Sequence, residues 1–175
     1  MIEIKIIDES RAEDVKLPNQ PFTVWGRIIP RYVDGRWDHE VVGSDAAEVY
    51  DMRFPDEDYD FSAMSRDTVF IGAYDGEKCV GLAVLRDAFF KYMYLLDLKV
   101  NAEYRCAGVG SALISKARET AGERGYRGVY VTAQDNNATA CLFYLKNGFR
   151  IGGLDTEVYK GTNQEGKSDI VFYIE

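Results

Sequence analysis

Residues 94–111, Tyr-Leu-Leu-Asp-Leu-Lys-Val-Asn-Ala-Glu-Tyr-Arg-Cys-Ala-Gly-Val-Gly-Ser, hold the features that anion binding requires. An apolar, strand-like run ends in a short polar turn. A glycine-bearing loop, Arg105-Cys106-Ala107-Gly108-Val109-Gly110, then opens into a helical pattern. The first amides of a helix lack intrahelical partners and sit at the positive end of its dipole, so a phosphate placed there meets donors and favourable potential together. Gly108 and Gly110 let the backbone come close to bound oxygens because no Cβ intervenes. Taken alone, the loop also reads as a plain strand–helix junction. It is not a Walker loop, since Gly-x-x-x-x-Gly-Lys-Ser/Thr is absent. Nor is it a dinucleotide fingerprint, because the three-glycine pattern after the first strand of a βαβ unit is missing.

A second group lies in Asn136-Asn137-Ala138-Thr139-Ala140-Cys141-Leu142-Phe143-Tyr144-Leu145-Lys146-Asn147-Gly148-Phe149. Asn137 and Tyr144 are seven residues apart, about two helical turns, and share a face, with small Ala140 between them. Two readings fit: a helix N-cap and a packing tyrosine, or a face against which a ligand lies. Asp97 stands in an otherwise apolar strand, where an unpaired charge is costly. It reads either as a structural ion pair, with Lys99 or Arg105, or as a general base; Asp135 is the alternative base. The single histidine, His39, falls beside a turn and reads as a surface residue, leaving Ser-His-Asp and Cys-His chemistry without support.

The elements that must position these residues follow from patterning. The first twenty residues read as weakly ordered. Phe22–Val33 reads as a strand interrupted by Pro30, and Asp34-Gly35 as the turn that pairs it with Trp37–Val42. A short helix is expected near Asp45–Met52, followed by an acidic loop. Thr68–Tyr74 and Lys78–Leu85 flank a second hairpin turn, and Tyr92–Val100 is the next strand. Leu113, Ala117 and Ala121 mark a helix from Val109 onward. Gly128–Ala133 is a strand, Asn136–Asn147 a helix with Gly148 past its end, and Phe149–Tyr159 and Asp169–Ile174 are strands. This order predicts an α/β domain, a mixed sheet with helices against it.

At 175 residues, with 46% apolar and 13% aromatic residues, one globular domain spanning 1–175 is expected. No apolar run approaches the roughly 20 residues of a membrane span, and no signal peptide is visible. Three scattered cysteines without metal-ligand spacing suit reduced thiols in the cytoplasm, so no metal is expected. The net charge of −8 argues against nucleic acid as a partner and favours cationic ligands. Asp51, Asp56, Glu57, Asp58 and Asp60 concentrate that charge, either as a solvated loop or as an attractor for cations.

Together the Arg105–Gly110 loop and the Asn137–Phe149 helix resemble the GNAT superfamily of acetyl-CoA-dependent N-acetyltransferases. The match runs over about Tyr92–Phe149, and Cys106 departs from it, standing where the family usually has glycine. Pro21–Tyr32, Gln134–Asn137 and Gly152–Thr156 are further similar to the streptothricin (nourseothricin) acetyltransferases, a resistance branch of the superfamily. The resemblance implies a GNAT fold with six to seven strands, splayed between two parallel central strands to admit the pantetheine arm. It implies that Leu98 and Val100 hold pantetheine through their backbone. The amides of Arg105, Cys106, Ala107, Gly108, Val109, Gly110 and Ser111 would take the pyrophosphate, and Asn137 would contact the pantetheine. It further implies direct attack of a neutral amine on the thioester, with Tyr144 giving a proton to the leaving sulfur and a base, for which Asp97 is the candidate beside Asp135 or water, taking the proton of the amine. The acceptor implied is a small polycationic amine, streptothricin at its β-lysine moiety, with Asp56, Glu57 and Asp58 attracting it. The same fold and cofactor also suit a protein lysine or N-terminus, a polyamine, or a non-catalytic acyl-CoA-binding module. A monomer or homodimer away from any membrane is expected.

Overall fold

A computed structural model describes residues 1–175. In chain order the strands are β1 (Ile2–Ile6), β2 (Phe22–Val24), β3 (Gly26–Val33), β4 (Arg36–Gly43), β5 (Tyr50–Met52), β6 (Thr68–Asp75), β7 (Lys78–Arg86), β8 (Tyr92–Val100), β9 (Gly128–Gln134), β10 (Arg150–Asp155) and β11 (Asp169–Ile174). The helices are α1 (Phe61–Met64), α2 (Val109–Glu123) and α3 (Ala138–Lys146). The residues group into two compact units, one of Met1–Gln20, Arg53–Val129 and Glu175, the other of Pro21–Met52 and Tyr130–Ile174.

In the first unit β1, β6, β7 and β8 lie side by side, antiparallel throughout. Leu113 and Ala117 of α2 are fully buried on one face. The helix comes close because Gly81 lies beneath it: a Cβ there would stand 3.2 Å from Leu113 Cδ1. The other face carries Phe70, Leu82 and Val84, packed with Ile7, Val15 and Tyr59. Each such side chain contributes roughly 1.5–3 kcal/mol on burial.

β8 contains a bulge that decides where its functional residues point. Leu85 pairs with Leu95 and Val84 with Asp97, so Leu96 is the extra residue. Directly paired residues of antiparallel strands share a face. Asp97 and Lys99 therefore face the side of Val84 and Leu82, whereas Leu98 and Val100 face the α2 side with Ala83 and Gly81.

In the second unit the strand order is β9-β11-β10, and β2-β5 and β3-β4 form two further ribbons. Asp34 and Gly35 both have positive φ, 50° and 77°, as the two-residue loop joining Val33 to Arg36 requires. Pro30 does not interrupt β3: it pairs opposite His39 in a two-stranded ribbon, where a missing N–H is tolerated. The core gathers around α3, with the Tyr144 ring 5.2 Å from Phe149 and 5.6 Å from Phe172.

Four strands in the first set and three in the second give the upper end of the expected six to seven. Three further local expectations fail. The first twenty residues are ordered, as β1 followed by turns of 3-10 helix over Glu9–Lys16, because the Ile2, Ile4 alternation supplies a strand that pairs with β6. The helix expected near Asp45–Met52 is one short turn at Ala46–Glu48 and then β5, since β2 offers Tyr50–Met52 a ladder. β10 stops at Asp155, whose carboxylate accepts from the Glu157 and Val158 amides and turns the chain.

Candidate active site

The loop after β8 has the form of an anion cradle. Arg105 donates Nε to the Val100 carbonyl at 3.0 Å, so its side chain folds back over the strand end. Cys106 is exposed with φ of 59°, a left-handed conformation that favours glycine. Gly108, at φ 83°, is the N-cap of α2 and supplies no side chain to close the helix start. The first helical bond of the turn is Ala112 N to the Gly108 carbonyl at 3.0 Å. The amides of Val109, Gly110 and Ser111 therefore open the helix without a capping side chain, and these residues fit a bound pyrophosphate.

On the opposite face of β8, Asp97 and Lys99 belong to a nearly buried polar cluster. Lys99 Nζ lies 2.9 Å from Asp97 Oδ2 and 2.5 Å from Glu57 Oε2, with its side chain 10% exposed. The ammonium also lies 5.7 Å from the centre of the Tyr59 ring, and Tyr59 OH donates to Asp97 Oδ2 at 3.4 Å. Asn19 fixes the acidic segment by donating Nδ2 to both Glu57 oxygens and to the Pro55 carbonyl, and its N–H to Asp56. Burial pushes the Asp97 carboxyl above the ordinary carboxylate range, and Lys99, pulling the other way, does not cancel it. Burial also works to raise Glu57, but its bonds from Lys99 and Asn19 outweigh this and hold it low. Asp56 is held low by the Asn19 amide and by Arg53, while Asp58 is exposed.

In the second unit, Asn137 caps α3 by accepting from the Ala140 amide at 3.1 Å, so its carboxamide oxygen is engaged. β3 runs alongside this turn, with a parallel bridge between Gly26 and Asn137 and Ile28 N donating to the Asp135 carbonyl at 2.8 Å. Buried Asp135 is bracketed by Arg27 at 3.3 Å and by the Ser168 amide, a structural role for that carboxylate. Next to it is an open cavity of about 470 Å³, with Tyr50, Glu48, Glu165 and Asn136 in its wall. Asn136 is buried and its carboxamide oxygen has no hydrogen-bond partner, as is true of Gln134 Oε1 two residues earlier. The pairing of Gly26–Ile28 with the 135–137 turn and the pinning role of Asn19 have almost no local sequence signal; a glycine opening a strand is the one mark of the former.

Other chemistries are poorly served. Cys79 and Cys141 are buried, and burial pushes their thiols to about 11 and about 12, so neither is a ready nucleophile. No group of three or more His, Cys, Asp or Glu is arranged to hold a metal ion. No helix is long and apolar enough to cross a membrane.

The profile of the Acetyltransferase (GNAT) family matches residues 35–149. Streptothricin acetyltransferase A of Bacillus subtilis (strain 168) is 33% identical over 162 residues, which is 92% of each chain. A crystal structure from Bacillus anthracis str. Ames, of a protein assigned as a streptothricin acetyltransferase and bound to acetyl coenzyme A, superposes with a TM-score of 0.89. It is 27% identical over 100% of this chain and 99% of its own. The crystal structure of a nourseothricin acetyltransferase, 24% identical over 99% of this chain and 97% of its own, shares the fold with a TM-score of 0.80.

Proposed function

Since the chain belongs to the GNAT acetyltransferase family, we propose that it transfers acetyl from acetyl-CoA to an amine of streptothricin, at the β-lysine moiety, and so confers resistance. The observation that carries this reading is the 33% identity to a streptothricin acetyltransferase over 92% of both chains. Acetyl-CoA supplies an activated thioester; the rest falls to this chain. The uncapped start of α2, from Arg105 to Ser111, holds the pyrophosphate. Leu98 and Val100 offer strand backbone to the pantetheine, and Asn137 offers the amide of its side chain. Asp97 takes a proton from the acceptor ammonium, directly or through water. Its raised proton affinity favours this role, because a base works best with a pKa near the working pH. Tyr144 donates a proton to the departing sulfur.

Recognition of a polycation suits the charge of the chain. Asp56 and Asp58 lie on the segment that Asn19 pins, and the cavity lined by Arg27 and Lys167 also offers Glu48, Glu165 and the unpartnered Asn136 oxygen as acceptors for ammonium groups. Three free cysteines and an acetyl-CoA-dependent reaction suit a cytoplasmic enzyme. The test is mass spectrometry of streptothricin incubated with protein and acetyl-CoA, with spermidine and a lysine peptide as competing acceptors. Gain of one acetyl group on the β-lysine fragment, in step with release of CoA thiol, is expected. Acetylation of the peptide or spermidine alone would reassign the acceptor, and no thiol release with any amine would leave a binding module.

A further inference from the structure

We infer that Lys99 and Glu57 are positioning residues that set the proton affinity of Asp97, forming with it a triad in which two carboxylates share one ammonium. This rests on the role of Asp97 as base given above. The geometry carries it. Lys99 Nζ bridges Asp97 Oδ2 at 2.9 Å and Glu57 Oε2 at 2.5 Å. The groups facing Asp97 are Lys99 from its own strand and Glu57 and Tyr59 from the 53–60 segment. β7 presents apolar Leu82 and Val84 on the same face, and α1 adds Phe61 and Met64 to the cluster they belong to.

Counting charge shows what the third member does. With both carboxylates ionised the triad carries one excess negative charge, which favours uptake of one proton. When Asp97 accepts that proton from the substrate ammonium, the nitrogen keeps its lone pair and the triad becomes neutral. Lys99 then still has Glu57. In a simple Asp97–Lys99 pair the same protonation would leave a buried ammonium without a counter-ion, a state costly enough to suppress it. Glu57 thus makes neutral Asp97 admissible, and Lys99 stops the carboxyl from rising so far that it is never ionised. The Tyr59 hydroxyl adds a smaller pull in the same direction as Lys99.

The test reads signs. Glu57→Gln removes the competing anion and gives Lys99 wholly to Asp97, so the acidic limb of kcat/KM moves down in pH by about one unit. Lys99→Met removes the attraction and moves the limb up by a similar amount, while Lys99→Arg restores the wild-type position. The same displacements appear in the carboxyl carbon titration of Asp97 by NMR, measured without substrate. Opposite shifts support the triad; shifts of one sign, or none, overturn it. Should Lys99→Met fail to fold, the NMR titration of Glu57→Gln decides, since an unchanged Asp97 there also overturns it. A wild type that titrates as described but leaves streptothricin unmodified would instead refute the acceptor assignment.

Discussion

In the proposed mechanism Tyr144 would serve two ends with one side chain, packing with its ring and giving a proton from its hydroxyl. Its ring packs edge-on against Phe149 and lies against Phe172, so it is part of the core of its unit. Tyr144→Phe keeps those contacts and removes the hydroxyl. Steady-state kinetics should show kcat falling on the order of 100-fold with the KM for acetyl-CoA unchanged, the usual cost of losing a general acid. An unaltered kcat would make Tyr144 a packing residue only. At this scale the sequence spoke unevenly. Asp97 stood out as a charge in an apolar strand, and Lys99 was in view as a possible partner. Glu57 and Tyr59 reach the same site from about forty residues away, and no local pattern announces a contact of that range. The acidic run looked uniform, yet Asn19 and Lys99 divide it into engaged Asp56 and Glu57 and exposed Asp58.

Among the elements, the start of α2 carries the clearest consequence. Gly108 has φ of 83° and Cys106 φ of 59°. Gly108→Ala should cost about 1 kcal/mol in thermal unfolding, the strain of an L residue in the left-handed region, and should weaken acetyl-CoA binding by calorimetry. Cys106→Gly should do the reverse for stability and leave acetyl-CoA binding intact, which also explains why the position suits glycine. If Gly108→Ala binds acetyl-CoA as the wild type does, the loop is not the phosphate cradle. The loop, both hairpin turns and α3 were legible because glycine placement and helical period act locally. β1 was missed because Ile2 and Ile4 make a two-beat pattern that becomes a strand only when β6 lies beside it. The bulge at Leu96 was beyond reach for a related reason: a bulge is defined by the partner strand, and β8 alone reads as an unbroken run.

Over the whole molecule, the charge of −8 would draw the proposed polycationic acceptor from a distance. Replacing Asp56 and Asp58 with Asn should raise the KM for streptothricin a few-fold at low salt and make it less sensitive to added salt, because long-range attraction is screened within about 10 Å at 0.1 M. Equal salt dependence in variant and wild type would confine those carboxylates to solubility. The acidic field also bears on the end of the catalytic cycle. Acetylation turns an ammonium into a neutral amide, so each turnover converts a strongly attracted molecule into a less attracted one. An acidic protein is therefore biased against retaining what it has made. Product should inhibit more weakly than substrate binds, and turnover should persist as acetylated antibiotic accumulates.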